Sequence, residues 1–277
     1  YKSQLMAGYV QGQYQGLLDR RLLLSLGLRV TREDQPDNPR PNVQFNRLDQ
    51  ANSSTSTDPR FGFTFDVNGN GKTLVRGGYG LFSSPNPSLT VSNTMNSNGN
   101  TTSTYFIRNG SSTNARFKTG ELSFAQRVTG NTLSRLDPSL LAGIGAASRQ
   151  GQVWDPNNKL TVAKRTALGV DHSFSNGLTM GVQGVYAKFE NLQYFVNINL
   201  NQVGAPVGSF YNDGYAVPGL NKFSTSGRPN KAVVRGHLLD FTNFGDVFLS
   251  KNDGEGTYKA LILTASHASL AIAACSP

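Results

Sequence analysis

Two short motifs contain the residues best suited to bind an ion or a phosphate group. The stretch 66–71, DVNGNG, resembles the start of a calcium loop, yet its twelfth position is Gly77, where that loop requires glutamate. The overlapping GKT at 71–73 matches the end of a phosphate-binding loop, but the first glycine of that motif would fall at Asp66. Because a run of Asn and Gly also suits a tight turn, the sequence predicts a hairpin turn here.

The remaining reactive side chains are too scattered to form a catalytic or metal site. His172, His237 and His267 lack the spacing of metal ligands. No GxSxG motif presents a serine nucleophile. The single cysteine, Cys275, excludes an intrachain disulfide and a multi-cysteine metal site. We therefore expect no enzyme activity, no catalytic or metal-binding residue and no cofactor.

Charge and composition favour a β-rich protein without a nucleic-acid partner. The 277 residues carry a formal net charge of +9, but only 16% are charged and the basic residues form no run. Glycine occurs 30 times and glutamate at only four positions, which favours strands and polar loops over helices. No run of 18 apolar residues predicts a transmembrane helix, whereas a barrel strand needs only about 9–11 residues of alternating character.

The strands that would position these residues are clearest at 58–82. From Phe61 to Val67 the odd-numbered residues are bulky and apolar, and the even-numbered ones are small or polar. The even-numbered residues from Leu22 to Val30 form a similar apolar face. In a soluble sandwich these faces would line a core. In a membrane barrel they would face lipid, and the polar faces would line a wet lumen.

Alternation and turn signals predict further strands along the chain. These strands are 4–14, 161–174, 178–195, 232–241, 246–250 and 258–265, with short strands at 101–108 and 119–127. A tight turn is predicted at 252–254, and Asp137-Pro138 marks the start of a short helix at 136–147.

Short and long connections alternate along the chain as far as residue 231. The short ones are 15–19, 68–72 and 176–177, and the long ones are 34–57, 83–160 and 196–231. An up-and-down membrane barrel has tight periplasmic turns and long outer loops, whereas a Greek-key sandwich does not sort its connections in this way. The sequence thus predicts an all-β, antiparallel, up-and-down transmembrane β-barrel segment of about eight or nine strands. The alternative is a soluble extracellular all-β binding module or adhesin.

Several of these strands resemble the barrel of TonB-dependent outer-membrane receptors, and among them the Oar-like group. The resemblance is carried by PRFGFTF (59–65) and GKTLVRGGYGLF (71–82). Further matching stretches follow in the same order as in that family: LMAGYVQGQY (5–14), RLLLSLGLRVT (21–31), WDPNNK (154–159), NGLTMGVQGVY (176–186) and GTYKALIL (256–263).

The resemblance implies a protein of the outer membrane, in contact with its lipid, that imports a large substrate through a plugged barrel of about 22 strands. No plug domain, transducer-binding segment or terminal aromatic strand is found, and the chain starts at Tyr1 without Met. We therefore expect 1–277 to be a mid-barrel part of such a receptor, as an interrupted gene would produce. It would reach a TonB-type energy transducer only through regions outside this sequence.

In the resembling family the outer loops meet the substrate first. Here those loops are polar and contain interspersed aromatic residues, which suits hydrogen bonding and stacking on an oligosaccharide or peptide. The candidate substrate-facing residues are Tyr105, Phe106, Trp154, Tyr211 and Tyr215. The alternative is that these segments are ordinary solvent-exposed loops.

Two further sets of side chains follow from the strand assignment. Residues near strand ends on the long-loop side could form an interfacial aromatic girdle or simply pack within the protein, and they are Tyr79, Phe82, Trp154 and Tyr194. Arginines on predicted lumen faces are Arg21, Arg29, Arg60, Arg76 and Arg165. We expect them to pair with Asp66 and Asp171, or with carboxylates of a plug domain.

Overall fold

A computed structural model describes residues 2–101, 104–105, 149–202, 223–224, 228 and 230–267. Its strands are β1 (Gln4–Leu17), β2 (Leu22–Asp34), β3 (Ser54–Asp66), β4 (Thr73–Ser84), β5 (Thr104–Tyr105), β6 (Arg149–Trp154), β7 (Thr161–Ser173), β8 (Leu178–Asn197), β9 (Asn201–Gln202), β10 (Phe223–Ser224), β11 (Lys231–Val234), β12 (His237–Asp240) and β13 (Val247–His267). One α-helix, α1 (Ser88–Asn96), and one 3-10 turn (Val43–Phe45) occur in this part of the chain. The helix predicted at 136–147 and the strand predicted at 119–127 lie outside it.

The long strands form one antiparallel sheet in chain order, β1-β2-β3-β4-β7-β8-β13. This order confirms the prediction of an up-and-down antiparallel fold. The free edge of β13 carries the short strand β6 in parallel pairing, from Val247↔Gly151 to Ser250↔Trp154, and β5 pairs with β6. The main sheet therefore contains nine strands within the described residues.

Two predictions about the last strands were wrong. The turn predicted at 252–254 lies inside β13, which stays paired with β8 on both sides of it and shifts register between Lys251 and Gly256. A β-bulge absorbs the extra residues there, so the Asn-Asp-Gly sequence bends the strand without reversing it. The strand predicted at 232–241 is instead the hairpin β11–β12, which turns at Arg235 and Gly236 with φ of 50° and 81°.

With β13 as one strand, the connections of the main sheet alternate along its whole length. The short ones are 18–21, 67–72 and 174–177, and the long ones are 35–53, 85–160 and 198–246. Because successive strands are antiparallel, all short connections lie at one end of the sheet and all long ones at the other.

Apolar side chains of neighbouring strands lie in register on one face of the sheet, called here the apolar face. Directly paired residues of an antiparallel sheet project to the same face. One row across six strands consists of Leu22, Phe65, Val75, Val170, Val182 and Leu263. A second row, closer to the long connections, consists of Leu26, Phe61, Tyr79, Thr166, Tyr186 and Lys259. The predicted apolar faces of β2 and β3 are thus confirmed to coincide.

Exposure of the two faces is the reverse of that in a water-soluble sheet. On the apolar face Leu26 is 62% exposed and Val182 is 43% exposed, whereas Thr31 and Val185 on the opposite, polar face are 5% and 8% exposed. The other sheets in the described residues are two-stranded, and none forms the second layer of a sandwich. A soluble sheet buries its apolar side. The soluble-module alternative therefore does not fit, and the apolar face is suited to lipid.

The height of the apolar face matches a bilayer. In β8 the residues that project from this face are Leu178, Met180, Val182, Gly184 and Tyr186, and the next two are Lys188 and Glu190. From Leu178 to Tyr186 the strand rises roughly 27 Å, or about 21 Å in height at a tilt of ~40°. The apolar band of outer-membrane barrels is about 25 Å tall.

The motif that resembled a calcium loop closes the β3–β4 hairpin, as predicted. Its glycines, Gly69 and Gly71, take φ of 71° and 72°, a conformation that favours glycine. The two carboxylate oxygens of Asp66 accept hydrogen bonds from the amides of Gly69 at 2.9 Å and Gly71 at 2.7 Å. The carboxylate is therefore engaged in holding the turn.

Removing this carboxylate is expected to loosen the hairpin. Asp66→Ala should lower the free energy of unfolding by about 2 kcal/mol, because two backbone donors lose a charged acceptor. Asn68→Ala is the matched control in the same turn, since the Asn68 side chain makes no hydrogen bond in the described part of the chain. Urea unfolding in lipid vesicles measures both, and an equal loss in the two variants would contradict the assignment.

Candidate functional site

The described parts of the long connections fold together into a packed body at one end of the sheet, called here the cap. All three contribute apolar side chains to its core. The larger cluster contains Phe45, Leu48, Val153, Ile198, Ala232, Val234, Leu239, Phe241, Phe244, Val247 and Leu249, and the smaller one Ala51, Val91, Met95 and Trp154. Phe45 packs against Phe244 with ring centroids 4.7 Å apart. A Cβ on Gly151 would lie 2.8 Å from the Phe45 ring and 3.0 Å from that of Phe244, so this close packing requires glycine.

A buried carboxylate links the first two long connections. Asp49 is fully buried, and its Oδ2 accepts hydrogen bonds from the Asn42 amide at 2.7 Å and from the side-chain amides of Asn98 at 2.7 Å and Asn38 at 3.1 Å. Asn42 in turn donates to the Asn98 carbonyl at 2.6 Å. Because these donors come from both connections, the network fixes one against the other.

Two more buried acids lie where the second long connection begins: Glu33 attaches the cap to β2, and Asp58 fixes the end of β4. Glu33 of β2 accepts hydrogen bonds from the backbone and side-chain amides of Asn86, at 3.1 and 2.9 Å. Asp58 of β3 accepts from the amide and hydroxyl of Ser83, at 3.1 and 2.6 Å. These hydrogen bonds fix the start of the second long connection, so the cap is held in a defined position above the strands.

An open polar cleft of about 750 Å³ lies between the cap and the ends of the strands. Its walls are formed mainly by 52–56, 155–160 and 251–253, with Arg235 from the β11–β12 turn. Asparagine amides and serine or threonine hydroxyls dominate the lining. The wall is held in shape by Asn158, which donates to the Ser250 carbonyl at 2.9 Å, and by Asn52, which donates to the Asn158 carbonyl at 2.9 Å.

Four of the five charged side chains in the cleft form opposed pairs, and the fifth is Lys159. The Arg235 guanidinium lies 3.5 Å from the nearly buried Asp155 carboxylate, and Lys251 lies 2.6 Å from Asp253. Tyr194 donates its hydroxyl to Asp253 at 2.6 Å. These groups lie beyond the apolar band, at the cap end. Burial and the Asp253 carboxylate raise the pKa of Tyr194 to about 12. Burial alone would raise the pKa of Asp253, but Lys251 and Tyr194 outweigh it and hold that pKa below its usual value.

The cleft offers many neutral donors and acceptors, and four of its five charged side chains are paired with each other. Among the described residues, no group of three or more His, Cys, Asp or Glu side chains is placed to hold a metal ion. No helix in the described part of the chain has both the length and the apolar character needed to cross a bilayer.

Of the five predicted substrate-facing residues, the structure describes Trp154 in full and Tyr105 by its backbone. Trp154 is fully buried, packs with Val91 and Met95, and donates its ring N–H to Asn52 at 2.5 Å. It therefore supports the cap from inside and, contrary to expectation, presents no surface to a substrate. Tyr105 ends β5, and only its backbone is described. Phe106, Tyr211 and Tyr215 lie outside the described residues.

The predicted arginine pairing is confirmed for one residue. Arg76 lies 2.8 Å from Asp171 on the polar face. Arg21 donates instead to the carbonyls of Leu18 and Val67, because the carboxylate of Asp66 is bonded to its own turn.

Two other predicted lumen arginines find partners that are not carboxylates. Arg60 lies over the Phe82 ring at 4.5 Å, and Arg29 donates to the Thr31 hydroxyl at 3.2 Å. Phe82 therefore belongs to the polar face and not to an interfacial girdle. Tyr79, by contrast, is 44% exposed on the apolar face.

The sequence analysis missed the residues that shape the cleft. Asp155, Asn157 and Asn158 follow Trp154 in the stretch WDPNN, and clustered Asp, Pro and Asn residues signal an ordered turn. The Arg235-Gly236 dipeptide signals a turn in the same way. Neither signal could place these turns beside 251–253, because that proximity depends on pairing between strands far apart in sequence.

Comparison with known proteins identifies the family. Residues 1–270 match the family described as outer membrane beta barrel domain. The match covers nearly the whole chain, so the chain belongs to this family and is a barrel protein of the outer membrane. This agrees with the exposed apolar band and with the sorting of short and long connections to opposite ends of the sheet.

Solved structures with a similar arrangement include three bacterial receptors. They are the siderophore receptor PirA of Pseudomonas aeruginosa (13% identity, TM-score 0.42, 94% of this chain and 30% of that one), the alcaligin receptor FauA of Bordetella pertussis (12%, 0.38, 96% and 27%) and the hemophore receptor HasR of Serratia marcescens (10%, 0.45, 96% and 32%). The chain thus spans roughly 30% of the length of these receptors. A comparison with curated protein sequences found no match.

Proposed function

We propose that this chain is part of the barrel of a TonB-dependent receptor of the Oar-like group that takes up a large substrate across the outer membrane. The observation that carries the proposal is a packed cap with an open polar cleft, which lies directly above a membrane-spanning apolar band. A barrel that served only as a membrane anchor would have no need of an open cleft fixed by buried hydrogen bonds. The strand motifs at 59–65 and 71–82 support the Oar-like assignment.

The lining of the cleft favours an oligosaccharide or peptide substrate. Its volume of about 750 Å³ lies within the usual range of roughly 300–1,000 Å³ for ligand sites. Asn and Ser side chains can both donate and accept hydrogen bonds, as sugar hydroxyls and peptide groups require. We expect first contact with the substrate on the segments 105–148 and 203–222, at Tyr105, Phe106, Tyr211 and Tyr215.

The residues that flank each segment pair with each other as two short strands, so each segment can be replaced by a short turn. Thr104 and Tyr105 of β5 pair with Gln150 and Arg149 of β6, so the ends of 106–148 meet across a strand pair. In the same way β9 and β10 bring the ends of 203–222 together. A two-residue Asn-Gly turn matches the twist of such a strand pair.

Replacing 106–148 by Asn-Gly is expected to reduce substrate binding at least tenfold while the barrel stays folded. A larger deletion, of residues 88–150, would be unsuitable because it would also remove Val91 and Met95 from the cap core. Binding is measured on glycan and peptide arrays with the full-length protein in nanodiscs, and barrel folding by heat-modifiable migration on gels.

The same replacement of 203–222 removes Tyr211 and Tyr215 and tests the second segment separately, and it is also expected to reduce binding while the barrel stays folded. Undiminished binding after loss of 106–148 would exclude that segment from recognition. Loss of heat-modifiable migration would show that the segment supports the barrel.

Dependence on an energy transducer is tested in cells that display the full-length protein. If the protein is an importer, an uncoupler of the proton gradient should stop uptake of a bound labelled oligosaccharide or peptide and leave surface binding unchanged. An adhesin would show binding without uptake both in the presence and in the absence of the uncoupler. That outcome would overturn the import proposal.

A further inference from the structure

A cluster of charged side chains lies on the apolar face, immediately beyond the apolar band. Lys164 of β7 pairs directly with Lys188 of β8, and Lys259 of β13 pairs with Tyr186, the last residue of the band in β8. Glu190 and Glu255 complete the cluster. Because paired residues share a face, the lysines of this cluster project to the same side as the lipid-facing row of Val170, Val182 and Leu263.

The contacts within the cluster leave an excess of positive charge. Glu190 lies 2.7 Å from Lys164 and 3.1 Å from Lys188, and Glu255 lies 3.2 Å from Lys188. Lys259 has no carboxylate partner among the described residues, and its ammonium lies 6.0 Å from the centre of the Tyr186 ring. Three lysines thus face two glutamates, which leaves one net positive charge.

The stability of the sheet does not account for this arrangement. Lysines directly opposite each other in an antiparallel pair repel. The side chains of Lys164 and Lys188 are 37% and 34% exposed, and ion pairs with such exposure contribute little to stability in water. Glu190 contacts both lysines, reduces their repulsion and holds the two ammonium groups close together, as a binding site for an anion requires.

The height of the cluster places it among lipid head groups. Tyrosine is typical of the membrane interface, and Tyr186 marks the edge of the band. Lys188 lies two residues further along β8, which is about 5 Å higher at a tilt of ~40°. The head-group layer of one leaflet is about 5–8 Å thick. Lys164 and Lys188 are therefore level with lipid phosphates, and Lys259 lies level with Tyr186, from where a lysine side chain can extend to the phosphates. This is the side of the long connections, which in outer-membrane barrels is the outer side.

We propose that Lys164, Lys188 and Lys259 bind the phosphate groups of a lipid in the outer leaflet while its acyl chains pack on the apolar band below. Lysine binds phosphate as a compact point charge with three N–H donors. Three ammonium groups on adjacent strands suit a head group with two phosphates. The inference rests on outer-membrane location and not on the proposed transport function.

The test uses the full-length protein in detergent micelles, titrated with lipid A bisphosphate and with its dephosphorylated form. Native mass spectrometry measures the bound fraction. Each lysine near an anionic lipid contributes about fivefold in affinity, so Lys188→Gln with Lys259→Gln should weaken binding of the bisphosphate roughly 25-fold. Glu255→Gln, which raises the charge of the cluster, should strengthen it by up to about fivefold.

The matched control removes two charges at the opposite edge of the band. Arg20→Gln with Lys72→Gln alters two exposed residues in short connections and should leave binding within about twofold of the unaltered protein. Equal binding of the dephosphorylated lipid, equal loss in the control, or no gain from Glu255→Gln would overturn the proposal. Displacement of the lipid by millimolar inorganic phosphate would also overturn it, since the site would then recognise a free anion.

Discussion

Val182→Arg is expected to lower the free energy of unfolding in lipid vesicles by about 2–4 kcal/mol, the cost of an arginine at the lipid-facing midplane of a barrel. Val182 lies midway between Leu178 and Tyr186 in β8, and its paired neighbours are Val170 and Leu263. A guanidinium group there would lose its hydration in hydrocarbon. Urea unfolding of the full-length protein in vesicles measures the loss.

The adjacent residue provides the control for this substitution. Gln183 projects to the polar face and lines a hollow of about 280 Å³ with Arg76 and Thr64. In Gln183→Arg the guanidinium group stays in a polar environment, so this substitution should lower the free energy of unfolding by less than about 1 kcal/mol. If Gln183→Arg were as costly as Val182→Arg, or costlier, the apolar face would have to contact protein rather than lipid.

Met95→Ala is expected to destabilise the cap by about 2–5 kcal/mol, the usual cost of truncating a buried methionine. Met95 is fully buried in α1 against Trp154 of β6, and Gln152 of β6 donates to Thr94 at 3.3 Å. Loss of the methionine leaves a cavity between helix and strand. Hydrogen exchange of the backbone amides in Arg149–Trp154 should accelerate at least about 30-fold, because local opening becomes cheaper by 2 kcal/mol or more.

Leu89 on the same helix is the control, because its side chain is 73% exposed. Leu89→Ala should change stability by less than about 0.5 kcal/mol. Hydrogen exchange of the backbone amides in β7 and β8 should stay slow in both variants. If Met95→Ala accelerated exchange equally in those strands, the cap and the membrane sheet would unfold as one unit, and the cap could not be altered independently.

The structure of the cap was beyond sequence analysis for a physical reason. Its core combines Phe45, Val153 and Phe244 from three connections, and none of them lies in a long periodic segment. Trp154 looked like a substrate contact because it stands in a polar stretch, yet α1 and Ala51 cover it. Burial of this kind depends on contacts between residues tens or hundreds of positions apart, which local pattern does not encode.

The last strand of the main sheet, β13, also could not be predicted from local sequence. Asn252-Asp253-Gly254 has the composition of a turn, but continuous pairing with β8 keeps the chain extended and converts it into a bulge. Here the hydrogen bonds of the neighbouring strand outweigh local propensity.

Local pattern by itself determined the membrane-facing strands. The alternation at Leu22–Val30 and Phe61–Val67, the Asn-Gly turns and the sorting of connections specify an up-and-down barrel sheet, because side-chain period and turn geometry are local properties. Only the tertiary structure decided where the cleft lies, that Phe82 joins the polar face, and that Lys164, Lys188 and Lys259 meet at the edge of the band. Each of these depends on strand register, and register is set by pairing between segments distant in the chain.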